Sequence, residues 1–98
     1  MTSLGFDWDK PKSTSNQKKH GISFEEAQTV FVDENALLIG DPDHSNKEDR
    51  CILLGISAKL RILVVCHCYP KNDQIIRIIS ARKATRIERE HYWERWSR

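Results

Sequence analysis

Three apolar runs joined by short polar links constrain this chain more than any other feature. They are Ile52-Leu53-Leu54 within 50–57, Ile62-Leu63-Val64-Val65-Cys66 within 60–69, and Ile75-Ile76-Arg77-Ile78-Ile79 within 74–81. Each is short for a core helix and suits a strand. Ala58-Lys59 links the first run to the second, and Pro70 to Asp73 links the second to the third. Links this short join antiparallel neighbours, because a parallel crossover takes a dozen or more residues. A meander over 50–81 follows. A further short strand, Ala36 to Ile39, precedes it. That strand is ended by Gly40-Asp41-Pro42-Asp43 and the polar loop His44 to Lys47, which are turn signals.

The flanks read mainly as helix. Leu4 to Asp9 alternates apolar and acidic residues and predicts a short strand. Asp9 and Pro11 mark a helix start, and Gly21 a C-terminal cap, which predicts a helix over about 11–19. Ser23 with Glu26 forms a capping box. Phe24, Ala27, Val30 and Phe31 then recur at helical spacing, predicting a helix over 24–32. Ala84 to Trp96 predicts a terminal helix. The class is α+β, in the order β-α-α-β-β-β-β-α, with the helices covering the sheet most simply on one face. At 98 residues the chain is expected to form one domain, 1–98, with one modest core. That size excludes a Rossmann enzyme, a TIM barrel or a multidomain machine.

No apolar run approaches the ~20 residues a membrane span needs. Met1 to Asp9 is short and acidic, so no signal peptide is expected. Three cysteines, an odd number without a signal peptide, argue for free thiols in a reducing cytoplasm. Cys66-His67-Cys68 has the residue types of a metal site. On a strand, however, neighbours point to opposite faces, and no second Cys/His pair is close enough to close a zinc site. Charge is unevenly spread. Residues 10–20 carry four lysines and no acid, 25–49 carry eight acids against Lys47, and 77–98 carry seven bases against three acids. Two basic segments around an acidic middle fit an anionic partner, although such runs are often just solvated faces.

Alternation places the polar side chains. On 60–69, Arg61, Leu63, Val65, His67 and Tyr69 share one face, and Ile62, Val64, Cys66 and Cys68 share the other. The second set is apolar or thiol and is expected to face the helices. The first is expected to face solvent or a ligand. Arg77 shares a face with Ile75 and Ile79, while Ser80 and Arg82 lie at or past the strand end. Glu48 and Arg50 stand at the mouth of the strand from 50. One face then gathers Glu48, Arg50, Arg61, His67, Tyr69 and Arg77, in a register that a bulge would flip.

Such a set suits metal-free RNA cleavage. There a base takes the 2′-hydroxyl proton, an acid protonates the leaving 5′-oxygen, and cations hold the charge on the phosphorane. His67 or Glu48 could exchange protons, and arginines offer forks for phosphate oxygens. Tyr69 or Tyr92 could stack on an unpaired base. Each residue also has a plainer reading. A lone histidine near a strand end is more often packed or solvated. Glu48 and Arg50 are more often a cross-strand ion pair. Trp93 and Trp96 are more often a docking face, and either could contact a protein partner.

Longer motifs add to this. Phe6-Asp7-Trp8-Asp9, Lys12, Asn16 and the segment from Lys19 to Ala27 (KHGISFEEA) resemble the opening of the BrnT-type toxins. These are the ribonuclease halves of bacterial toxin–antitoxin pairs, with a RelE-like fold. The resemblance continues through Asp41-Pro42-Asp43-His44, Glu48, Arg50 and Gly55. It closes with Arg77-Ile78-Ile79-Ser80-Ala81-Arg82-Lys83-Ala84-Thr85, Glu88-Arg89 and Tyr92, so it spans about residues 6 to 92. The tail from Trp93 and the Cys66/Cys68 doublet are not part of it.

The resemblance implies a RelE-like twisted antiparallel sheet packed on helices. It implies RNA cleavage without metal or cofactor, which inhibits translation. The implied partner is a BrnA-type ribbon-helix-helix antitoxin, through which alone DNA would be met. Motif position and the face argument together assign Arg77 and Arg82 to the scissile phosphate. Glu48 or His67 would be the base and His67 the likelier acid, and Arg50 would orient Glu48 or assist at the phosphate. Lys19, Arg61, Tyr69, Lys83 and Tyr92 are expected to contact RNA. Lys19 and His20 equally fit helix C-terminal cations, and Asp41 to His44 equally fits a turn. The alternative is a non-catalytic RNA- or protein-binding module on the same fold.

Overall fold

Asp9 and Gly21 set the limits of the first helix. In the computed structural model, which describes residues 5–40, 50–70 and 74–96, Asp9 Oδ2 accepts from the Lys12 N–H at 3.1 Å. Gly21 closes the helix in the left-handed region at φ 74°, a conformation that costs glycine little. Between them runs α1, Lys10–His20. Ser23 Oγ caps α2, Phe24–Gln28, by accepting from the Glu26 N–H. A 3-10 turn, Thr29–Val32, continues it. The strands are β1 Gly5–Asp7, β2 Leu37–Gly40, β3 Cys51–Ile56, β4 Ile62–Cys68 and β5 Ile75–Lys83, and α3 is Arg86–Trp96. The element order is the one read from the sequence. The turn expected over 41–44 lies outside the described residues.

The strands form one sheet in the order β1-β5-β4-β3-β2. The meander is antiparallel as expected, and β1 joins its far edge parallel to β5. The helices do not share one face. Leu53, Leu63, Val65, Ile76, Ile78 and Ala81 pack with Ile22, Phe24, Ala27 and Val30 from the α2 side. Leu54, Ile62 and Val64 pack on the opposite face with Ala84 and the fully buried Tyr92 of α3. Both faces of β4 are therefore apolar. That is why alternation alone assigned its faces the wrong way round: the face of Leu63, Val65 and His67 meets α2, and that of Val64, Cys66 and Cys68 meets α3 at the Val64 end, with Cys68 buried as well.

A bulge sets the geometry of β5. Cys66 pairs with Ser80 but His67 pairs with Ile78, which leaves Ile79 as an extra residue. Two strand positions five apart normally point to opposite faces. The extra residue restores the match, so Arg77, Ser80 and Arg82 all share the face of Cys68, Cys66 and Val64. Arg77 consequently does not share a face with the buried Ile76 and Ile78.

Asn16 secures the chain just after this bulge. Its carboxamide donates to Ala81 O at 2.9 Å and to Ile22 O at 3.0 Å, and its Oδ1 accepts from the Ala81 N–H at 3.2 Å. The short β1 pairs only with 75–77, so Asn16 replaces an edge strand where β1 has ended. At the other end of the sheet, Asp33 Oδ2 accepts from the Ile56 N–H and the Tyr92 hydroxyl, at 2.9 and 2.7 Å. This ties α3 to the 3-10 turn. Gly55 lies beneath it. A Cβ there would stand 2.7 Å from Val30 Cγ1 and 3.1 Å from Asp33 Oδ2, so only glycine fits. Asn16→Ala leaves the Ala81 N–H and C=O without these partners and is expected to destabilise the fold by about 2 kcal/mol. Chemical denaturation would check it, and an unchanged midpoint would contradict the role given to Asn16.

Candidate functional site

Reading the pairs across the sheet gives rows of side chains on the face that carries α3. Arg77 stands beside Cys68, Ser80 beside Cys66 and Ile52, and Arg82 beside Val64 and Leu54. Arg50, two positions before Ile52, stands by alternation in the row of Cys68 and Arg77. That places it two strand spacings, roughly 10 Å, from Arg77. α3 covers only the end of this face, through Tyr92. Cys66, Ser80 and Arg82 are half-buried, while Arg50 and Arg77 are exposed. Among the described residues no other element covers this face, which three guanidinium groups border, although Cys68 in the row of Arg77 is itself buried.

Two of those groups are held by carboxylates. Arg77 donates from Nε and Nη2 to Asp7 Oδ2, at 3.2 and 2.8 Å, in an exposed pair. Arg82 makes a fork on Glu88, with Nη1 to Oε1 at 2.8 Å and Nη2 to Oε2 at 2.9 Å. The Arg82 bond holds the Glu88 carboxyl down at about 2, against its ordinary 4.5. Glu88 raises the Arg82 pKa in return. Glu88 is also half of a capping box: it accepts from the Thr85 N–H at 2.8 Å, and its own N–H donates to Thr85 Oγ1. The first turn of α3 therefore fixes Arg82 on the open face. Beside Arg77 lies a cavity of about 400 Å3 lined by Asp7, Asp9, Lys12 and Ile79 among others. Its two carboxylates balance its two cations, so it suits an anion less well than the open face does.

Several residues singled out from the sequence are elsewhere. His67 has no exposure and faces α2. Its ring meets Phe31 edge-on at 4.8 Å, and Nδ1 lies 3.3 Å from Val65 O. Burial lowers its pKa, against the Val65 bond. It is a core residue and cannot reach a substrate on the open face, so the acid or base role expected of it is withdrawn. Tyr69 is exposed just past β4, with its ring edge-on to His67, and by alternation lies off the open face. Tyr92 is fully buried and cannot stack on a base. Arg61 is bound by Glu26, through Nε at 3.0 Å and through a second, shorter bond from Nη2. The Arg61 bond leads in lowering the Glu26 pKa, and the Ser57 hydroxyl also donates to that carboxylate, at 2.7 Å. Arg61 thus braces the β3–β4 turn. Lys19 is exposed in the last turn of α1, which packs along β5 through Asn16. Lys83 pairs with Leu63, facing away from Arg82. Glu48 lies outside the described residues.

Sequence reasoning missed Asn16, Glu26, Ser80 and Glu88 as participants. The Thr85-to-Glu88 spacing was a capping-box signal that could have pointed to Glu88. Nothing local marked Asn16, a buried amide inside an otherwise polar helix. Among the described residues no group of three or more His, Cys, Asp or Glu side chains could hold a metal ion. No described helix is long and apolar enough to cross a membrane.

Comparison with known proteins decides the family. The sequence matches the model of the ribonuclease toxin BrnT of type II toxin–antitoxin systems over residues 8–88. The chain belongs to the BrnT toxin family. The crystal structure of the Brucella abortus ribonuclease toxin BrnT superposes with a TM-score of 0.61 at 25% identity, covering 88% of this chain and all of that one. No curated protein matches the sequence. Membership of this family makes the chain the ribonuclease toxin of a toxin–antitoxin pair, with RNA as its substrate class and an antitoxin as its partner. Both ends of the arginine set, Arg77 and Arg82, fall inside the matched segment.

The Arg82–Glu88 pair should be visible in acid. Because the folded-state pKa of Glu88 is depressed to about 2 from 4.5, the stabilisation it brings is complete above 4.5 and is lost as the pH falls toward 2. The difference in Tm between the wild type and Glu88→Gln is expected to shrink over that window. A difference independent of pH would contradict the pairing.

Proposed function

We propose that this BrnT-family chain acts as a single-domain, metal-independent endoribonuclease on the open face of its sheet. Arg77 and Arg82 grip the scissile phosphate, each exchanging part of its carboxylate contact for phosphate oxygens. Arg50 adds a third positive charge opposite. The Glu48 carboxylate takes the proton from the 2′-hydroxyl, whose oxygen attacks the adjacent phosphorus. The bond from phosphorus to the 5′-oxygen breaks, and that oxygen takes a proton from water. The products are a 2′,3′-cyclic phosphate and a 5′-hydroxyl. Fixed cations at the developing phosphorane supply the electrostatic stabilisation that a metal supplies elsewhere.

The observation that carries this reading is the common face of Arg77 and Arg82, five residues apart and brought to one side by the bulge at Ile79. Their planar forks match phosphate oxygens in a way a lysine does not. Cleavage of cellular RNA inhibits translation. The partner that restrains it is a BrnA-type ribbon-helix-helix antitoxin, and the setting is the cytoplasm, where Cys51, Cys66 and Cys68 stay reduced rather than in disulfides.

The test is cleavage of purified cellular RNA in EDTA, with and without ribosomes, with the new ends mapped. Wild type is expected to leave cyclic phosphate ends. Arg77→Ala and Arg82→Ala are each expected to lose about 10²- to 10³-fold in rate, the loss typical when one donor to a developing oxyanion is removed. Circular dichroism would confirm that both variants fold. Unchanged cleavage in the folded variants would remove the arginines from the site. A folded wild type that cleaves nothing would favour a binding module on the same fold.

A further inference from the structure

At the end of the sheet that α3 covers, a groove of about 320 Å3 runs between the β3–β4 turn and α3. It is lined by Leu60, Arg61, Lys83, Arg89 and Trp93, with Ile62 and Ala84 as its floor. Three features distinguish it from ordinary surface. Its charge is one-sided: Glu26 offsets Arg61, while Lys83 and Arg89 bring positive charge, and among the described residues no carboxylate lines the groove. Trp93 is 47% exposed, yet its ring is set at 81° against the buried Tyr92 at 5.1 Å. A large aromatic surface is thus held in place and about half exposed at the groove. Leu60 stands at the rim, 80% exposed, as the one described non-glycine residue at positive φ, 62°. The bonds from its N–H to Ser57 O and from Ser57 Oγ to Glu26 hold that turn.

We propose that this groove is a nucleotide subsite for single-stranded RNA. A base stacks on Trp93 beside Leu60, and the flanking phosphates lie against Lys83 and Arg89. The chemistry is that of strand-tracking sites generally, in which cations follow the backbone and aromatic rings carry the bases. Arg89 is positioned for this, because Nη1 already donates to Ala84 O at 3.0 Å, which fixes the guanidinium over the groove. Lys83 faces away from Arg82, so a strand held at Arg82 would reach the groove by passing around the end of the sheet, where Ala84 forms part of the floor. Arg89 and Trp93 lie beyond the segment matched by the family model, which stops at residue 88, while the rest of the lining lies inside it. The proposal rests on the ribonuclease reading above and adds where its substrate extends.

The probe is a fluorescein-labelled 12-nucleotide 2′-O-methyl RNA, which lacks the nucleophilic hydroxyl and so separates binding from cleavage. Anisotropy titration is expected to show Trp93→Ala binding about 5- to 100-fold more weakly, the range for loss of one stacked base, with Trp93→Phe largely restoring affinity. On the same backbone made abasic, wild type and Trp93→Ala are expected to bind equally, which a general folding defect would not produce. Lys83→Ala combined with Arg89→Ala is expected to lower the slope of log affinity against log salt by about 1.4, for two phosphate contacts on a single strand. Leu60→Gly relieves the positive φ, so it is expected to keep or raise Tm while weakening the 12-mer. If Trp93→Ala binds the 12-mer as wild type does, the subsite is wrong, although RNA cleavage by the wild type would leave the ribonuclease reading standing. Unchanged RNA affinity with weaker antitoxin capture would assign the groove to a protein partner instead. A folded wild type that neither binds nor cleaves RNA would overturn both.

Discussion

One extra residue in β5 determines what this sheet can offer. Without Ile79 as a bulge, Arg77 and Arg82 would point to opposite faces, one of them into the core beneath α2. A buried, unpaired guanidinium there would cost several kcal/mol. With the bulge, both stand on the face that α3 leaves partly open. The strand is held on either side of the bulge. Before it, β1 pairs with 75–77 and Asp7 binds Arg77. After it, Asn16 binds both backbone groups of Ala81. β1 and α1 thus have a shared purpose, which is to fix the edge of the strand that carries the arginines.

The carboxylate partners of those arginines are part of the same design. A guanidinium left alone beside apolar neighbours is desolvated and free to choose rotamers. Asp7 and Glu88 remove that freedom and keep each fork on the open face. The cost is competition, since a phosphate has to share or displace the carboxylate. Glu88 is the stronger holder because it is bidentate and also caps α3. A contact made at the first turn of α3 is therefore felt at Arg82.

Much of the fold was legible because local signals and burial agreed. Asp9, Gly21 and Ser23 cap the helices they were expected to cap, and the short links produced the antiparallel meander. The faces of β4 were not legible. Leu63, Val65, Ile62 and Val64 are all buried, so an apolar residue on either face carries no information about direction. The helices flank both faces, and alternation from His67 led to the wrong one. Arg77 and Arg82 were singled out as neighbours in a motif, but their common face depends on a bulge that no residue in 75–83 announces. His67 and Tyr92 look like surface chemistry in the sequence and are core. Tyr92 buries its ring because its hydroxyl finds a partner at Asp33, and His67 is buried by packing against Phe31, with only Nδ1 near a partner, Val65 O.

The central claim is that Arg50, Arg77 and Arg82 act together on one phosphate. The most direct measurement is NMR of the arginine Nε–H signals during titration with a non-cleavable 2′-deoxy dinucleotide. The account predicts that Arg50, Arg77 and Arg82 shift together with a single affinity, while Arg86 and Arg95 stay unmoved. Shifts confined to arginines away from the open face, or no shift at Arg77 and Arg82 in the folded protein, would contradict it.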